Sequence, residues 1–149
     1  LSKQLHDFQS GKRVNPVMQP LAKALTDDEI ASVTQAIAAM PVPPVPPINR
    51  SSMPEGVGET LALRGAWNRQ IPECVSCHGP GGAGVGHAFP PLANQPAMYL
   101  VAQLNAWRDG SRQNDPNDLM GHIAKAMSED EVKAVAEYFS TVGHKEVTP

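Results

Sequence analysis

The feature that most constrains this chain is that it repeats itself. Leu1, Gln4, Leu5, Gly11, Arg13 and Asn15 recur at a constant offset as Leu100, Gln103, Leu104, Gly110, Arg112 and Asn114. After a short insertion in the second copy, Met18, Ala22, Lys23, Ala24, Asp28 and Glu29 recur as Met120, Ala124, Lys125, Ala126, Asp130 and Glu131. Internal similarity of this kind points to two related units and is hard to obtain from unrelated helices.

Both copies read as helical. In the second, Leu100, Leu104 and Trp107 fall on one helical face, and Gly110 with the polar run through Asn117 ends that helix. Ser128-Glu129-Asp130-Glu131 is a capping box rich in acidic residues, and it opens a helix with Val132, Val135, Ala136 and Phe139 as its apolar stripe. In the first copy Leu1, Leu5 and Phe8 form the shorter matching face. Thr26-Asp27-Asp28-Glu29 then caps a helix that should turn Ile30, Val33 and Ile37 inward. Pro41-Val42-Pro43-Pro44-Val45-Pro46-Pro47 cannot be helical inside and reads as an extended, semi-rigid spacer, either a hinge or a loop laid on the surface. Glu59 to Asn68 resembles a further helix with Leu63 and Trp67 on one side.

That helix leads into Cys74-Val75-Ser76-Cys77-His78-Gly79, which has the C-x-x-C-H pattern of a c-type haem attachment site. Two thiols at this spacing can each add to a vinyl group on one edge of a porphyrin, and the adjoining histidine can reach the iron. A zinc site would need four ligands, usually from two knuckles, and the chain has 2 cysteines in all. A thioredoxin-type pair would need a strand-helix-strand setting, and no strand-like alternation surrounds the motif. A plain disulfide would leave His78 and the following glycines without a reason. Gly79 to Gly86 is too glycine-rich for regular structure and suits close passage of backbone beside a porphyrin.

Composition agrees. Aromatic residues make up only 5% of 149 residues, a shortage that a large apolar porphyrin would make good in a small helical core. The formal charge of -3 gives no sign of nucleic-acid binding and no strong steering field. No window has the length of a membrane-spanning helix. The chain opens on Leu1 rather than Met and carries no secretory leader. Haem attachment of this type occurs outside the bacterial cytoplasm, so the expectation is a product whose leader has been removed, soluble in the periplasm or on the outer face of the inner membrane.

The residues from about Gly56 to Val142 resemble a class I c-type cytochrome domain, nearest to the bacterial dihaem cytochrome c4 and c5 type. The resemblance is carried by the Cys74–Gly79 motif, by Phe89-Pro90-Pro91-Leu92-Ala93, by Tyr99-Leu100 with Gln103-Leu104, and by Gly110 through Met120. It implies an all-α fold around a covalently bound haem, with His78 proximal and a methionine distal. By that comparison Met120 is the distal ligand, since it follows the glycine-arginine-asparagine loop. Met98 and Met127 are the other methionines nearby, and Met127 matches Leu25 in the repeat. The acceptor that fixes a ligating histidine is in this family a proline carbonyl, here that of Pro90. Arg112 and Trp107 are candidates for contact with the haem propionates, the alternative being a solvated arginine and a core tryptophan. His87 and His122 are weaker candidates for iron ligands; His6 and His144 stand in no motif.

Residues 1–40 resemble only the C-terminal half of such a domain, a two-helix piece with Met18 where the axial ligand of a second haem would stand. The organisation expected is therefore 1–40 as a partial first cytochrome domain, 41–55 as a Pro-rich linker and 56–149 as a complete domain. One haem c is attached in this chain and a second is expected in a full-length dihaem protein, unless the first haem was lost and residues 1–40 persist as a helical cap. A half domain exposes apolar surface and should pack against its missing half or a second copy. Iron held by histidine and methionine has both axial positions filled and a raised potential. The family thus implies outer-sphere, one-electron transfer in a respiratory chain through small, transient interfaces with a donor complex and a terminal oxidase or reductase, rather than catalysis. The alternative is the haem relay subunit of a periplasmic dehydrogenase acting on sulfur compounds or alcohols.

Overall fold

The computed structural model describes residues 1–42, 44–45 and 51–142. Much of the proline spacer (residues 43 and 46–50), His144 and the rest of 143–149 lie outside the described residues. In order, the helices are α1 (Ser2–Ser10), α2 (Met18–Lys23), α3 (Asp27–Ala38), α4 (Gly56–Arg64), α5 (Cys74–His78), α6 (Ala97–Arg108), α7 (Leu119–Ala126) and α8 (Glu129–Thr141), with 3₁₀ turns at Trp67–Arg69, Pro80–Gly82 and Pro116–Asp118. Extended pairing among the described residues is confined to the isolated bridges Arg13–Arg112, Ala66–Ile71 and Val85–Phe89.

Both capping boxes form. Ser128 Oγ accepts from the Glu131 amide at 3.2 Å while Glu131 Oε2 accepts from the Ser128 amide at 2.8 Å, and Thr26 and Glu29 do the same at α3. These side chains satisfy amide groups that the first helical turn leaves without partners. From its capped start α8 turns Val132, Val135, Ala136 and Phe139 into the core, where they meet Leu61, Ala62 and Leu63 of α4, Leu100 of α6 and Met127. A Cβ at Gly58 would fall on the Ala134 carbonyl, so the missing side chain is what lets α4 lie against α8. Each large side chain fully buried here contributes roughly 1.5–3 kcal/mol.

Residues 1–39 do not share that core. Phe8, Ala22 and Ile30 are buried where α1 packs on α2 and α3, but the cluster around α8 contains none of them. Instead a polar lattice joins the two parts across the repeat. Arg13 donates to Gln4 Oε1 at 2.7 Å within its own part, and to Gln103 Oε1 at 2.5 Å and the Tyr99 hydroxyl at 3.2 Å in the other. Arg112 mirrors it, donating to Gln103 Oε1 at 2.7 Å and to Gln4 Oε1 at 3.4 Å. Each guanidinium also covers an aromatic ring, Arg13 over Phe8 at 4.7 Å and Arg112 over Trp107 at 3.9 Å, and Phe8 and Trp107 occupy the same place in the two copies.

Several sequence expectations are corrected. The first part holds the helices α1, α2 and α3 rather than two, because the Asn15 side chain accepts from the Val17 and Met18 amides and starts a short helix at the methionine. Val33 and Ile37, expected inward, are 38% and 46% exposed, since α3 meets α1 around Ile30 and nothing else among the described residues covers its outer flank. Leu1, expected on the buried face of α1, is 64% exposed. Glu59 to Asn68 is not one helix, as α4 stops at Gly65 and the chain turns. That turn leaves Trp67 at 66% exposure rather than beside Leu63.

Candidate functional site

Val75 anchors α5 in the core, which fixes the faces of the cysteines and His78. Cys74 and Cys77 are not joined in a disulfide. The Cys74 thiol lies 3.8 Å from the Leu61 carbonyl, and burial pushes its pKa up to about 12. His78 is 7% exposed. Burial pulls its pKa below the usual imidazole value, against the opposing influence of the Pro90 carbonyl, and Phe89 presents its ring edge-on with centroids 6.1 Å apart.

The glycine loop brings Pro90 to His78. The Gly84 amide donates to the His78 carbonyl at 2.7 Å, the Gly82 amide to the Gly79 carbonyl at 2.9 Å, and the Leu92 and Ala93 amides to the Gly82 carbonyl at 2.8 and 3.1 Å. The chain is thereby folded back so that His78 Nδ1 donates to the Pro90 carbonyl at 2.8 Å. With Nδ1 so engaged, the neutral ring keeps its lone pair on Nε2, the tautomer a metal requires. These glycines are expected to let backbone pass beside a porphyrin; at Gly82 the close neighbour is instead the core, since a Cβ there would come within 2.7 Å of Phe139.

A second group gathers around the loop before α7. Arg112 stacks on Trp107, and burial together with the charge of Arg13 pushes Arg112 down to about 10. Asp115 accepts from Trp107 Nε1 on one oxygen at 3.0 Å and from the Met120 amide on the other at 2.7 Å. Met120 is half-buried at the start of α7. Met127 lies within the hydrophobic core at 5% exposure and Met98 is on the surface at 86%. His87 is exposed, as is His122, whose Nε2 pairs with Gln70, and His6 pairs with Gln9. Met18 is half-buried with its amide held by Asn15. Sequence reasoning passed over Asp115 and gave no role to Arg13, Gln4 or Gln103; the signals were an aspartate inside the second copy's insertion and the recurrence of the arginine and glutamine in both copies.

Two cysteines three residues apart that form no disulfide, followed by a buried imidazole whose Nδ1 is occupied and whose Nε2 is available, fit a covalently attached haem and its proximal ligand. A helical fold with that site defines the c-type cytochromes. The cytochrome c family profile matches residues 68–143, and the chain belongs to that family: it is an electron-transfer protein that binds haem c through the region of Cys74, Cys77 and His78. It is 67% identical, over 97% of its own length and 67% of the relative's, to the thiosulfate dehydrogenase electron acceptor of Stutzerimonas stutzeri strain A1501. Among solved structures it resembles the thiosulfate dehydrogenase TsdBA of Marichromatium purpuratum with a TM-score of 0.83 and 42% identity, over 95% of this chain and 30% of that one. The cytochrome c4 of Acidithiobacillus ferrooxidans gives 0.77 and 32%, over 94% and 82%. The chain thus spans about two thirds of the curated acceptor and under a third of the Marichromatium chain.

Proposed function

We infer that this chain is part of a periplasmic dihaem cytochrome that accepts electrons from a thiosulfate-oxidising dehydrogenase and passes them on toward a terminal oxidase or reductase. This joins the carrier and dehydrogenase-relay readings. The observation that carries it is the 67% identity, sustained over nearly the whole chain, to a protein named for accepting electrons from thiosulfate dehydrogenase. Resemblance to a structure that bears the dehydrogenase's own name supports it.

The bound haem supplies a one-electron couple. The chain's residues would attach and orient it: Cys74 and Cys77 would provide the sulfurs, the Pro90 carbonyl holds the His78 ring with Nε2 free, and Met120 at the head of α7 would supply the second ligand to the iron. The fold leads from Gly110 through Asp115 to that methionine, and Arg112 stands beside the same loop as a candidate partner of the propionates, whereas the one N–H of Trp107, expected there as well, is given to Asp115. Residues 1–40 are read as the second half of a first domain, 41–55 as the linker and 56–149 as the complete domain. The succession α1–α2–α3 parallels α6–α7–α8, and the mirrored Arg13 and Arg112 contacts support a paired arrangement, with Met18 as the counterpart of Met120. No helix among the described residues is long and apolar enough to cross a membrane.

The test uses the full-length, haem-loaded protein. Thiosulfate alone should leave it oxidised, and adding a thiosulfate dehydrogenase should reduce it rapidly, with a rate that saturates as the cytochrome concentration rises. Failure to be reduced by the complete mixture would refute the acceptor reading. Reduction by thiosulfate without the dehydrogenase would refute the carrier assignment.

A further inference from the structure

We propose that Asp115 is the positioning residue of the methionine loop, a carboxylate clamp that holds Met120 against α6 and keeps its sulfur on the iron. The inference rests on the reading of Met120 as distal ligand and adds to it the residue that enforces the ligation.

Asp115 uses both oxygens. Oδ1 accepts from the indole of Trp107 at 3.0 Å, and Trp107 is 9% exposed in the last turn of α6. Oδ2 accepts from the Met120 amide at 2.7 Å, with the Gly121 amide at 3.5 Å. One side chain thus ties a buried ring to the first amides of α7. An ordinary cap would come from the residue just before the helix, but Asp118 there has a left-handed backbone with φ of 53° and makes no side-chain cap bond. The amides are served from farther back, by a group that is itself fastened to another helix. The charge suits both ends, since a carboxylate is favoured at a helix N-terminus and the Arg112 guanidinium that lies on Trp107 is attracted to it.

The first copy carries half of the same device. Asn15 Oδ1 accepts from the Met18 amide at 2.8 Å and from the Val17 amide at 3.0 Å, so in both copies a side-chain oxygen holds the amide of the repeated methionine. Phe8, which stands where Trp107 stands, has no N–H to give. Asp115 falls in the stretch inserted in the second copy. The tie to a buried indole is therefore specific to the part of the chain that bears the haem motif.

A methionine sulfur bound to iron competes with any other ligand offered to the metal, and a looser loop lowers the bound fraction and raises the apparent affinity for the competitor. The experiment is imidazole titration of the ferric, full-length, haem-loaded protein, with the weak far-red band that marks sulfur–iron ligation recorded alongside. Asp115→Ala should tighten the apparent Kd for imidazole tenfold or more and weaken the band. Asp115→Asn, left with a single acceptor oxygen, and Trp107→Phe, which keeps an aromatic ring, though a smaller one, and removes the donor, should each tighten it about threefold. These two serve if the alanine variant does not load haem. Ser128→Ala, which removes the α8 cap, should lower the denaturation midpoint without moving the imidazole affinity. Wild-type affinity and an intact band in the Asp115 and Trp107 variants would overturn the proposal, as would an equal shift in Ser128→Ala. Met120→Ala separates the two levels: loss of the band upholds the ligand assignment whatever Asp115 does, and persistence of the band removes the ground for both.

Discussion

Replacing Gly82 with alanine should damage both the core and the histidine site, for reasons that can be separated. Gly82 has a φ of 78°, where a Cβ costs roughly 1–2 kcal/mol. The added carbon would also lie 2.7 Å from Cε1 and 2.9 Å from Cδ1 of Phe139. That ring is 2% exposed, packs edge-on to Tyr138 with centroids 5.2 Å apart and cannot retreat, so overpacking adds about 1–3 kcal/mol. The sum, about 2–5 kcal/mol, is a large part of the stability of a small domain. Phe139→Leu removes the nearer Cε1 but keeps a Cδ, so in the double variant the overpacking should ease while the backbone strain stays, and the two substitutions should couple favourably by about 0.5–3 kcal/mol. Urea unfolding of the haem-loaded single and double variants measures this. The disturbance should also reach the site, because the Gly82 carbonyl holds the Leu92 and Ala93 amides and thereby Pro90 against His78. A weaker Nδ1 bond makes the imidazole a poorer donor to iron, so the reduction potential should rise. A cost below about 1 kcal/mol, or independent effects of the two substitutions, would show that Phe139 does not oppose a Cβ at position 82.

Arg13→Ala removes three hydrogen bonds to neutral acceptors and should cost about 1–2 kcal/mol, the loss being offset in part by relief of the repulsion that Arg13 exerts on Arg112. Amide exchange should quicken across residues 1–39 while α4 and α8 stay protected, and uniform protection would count against a lattice that holds the two parts together. Glu131 gives an acid limb. The Arg69 fork and the Ser128 amide hold its carboxyl down at about 2, against 4.5 ordinarily. A lowered folded pKa contributes stability that is complete above 4.5 and fades as pH falls toward 2. Glu131→Gln should therefore flatten the decline of the denaturation midpoint over that window, with only a modest effect because the Arg69 side chain is 39% exposed.

Whatever depends on neighbours along the chain was legible in the residues alone. The attachment motif occupies five consecutive residues, Cys74 to His78, so its chemistry is written locally. The capping boxes at Thr26 and Ser128 and the stripe from Val132 to Phe139 repeat on the helical period and need no knowledge of their partners. The repeat was visible because it compares the chain with itself. Tertiary structure decided how far the first copy's stripe is buried, since Val33 and Ile37 have the right spacing but no element among the described residues to meet. It also decided that Trp67 faces solvent, because one turn after Gly65 separates it from α4. The contacts that position the ligands join residues distant in sequence. Pro90 meets His78 because the glycine loop folds back against Phe139, Asp115 reaches Trp107 and Met120 across a turn, and Arg13 finds Gln103 from the far end of the chain. Hydrogen bonds are short and directional, so no periodicity in a sequence records which partners the folded backbone will bring within about 3 Å.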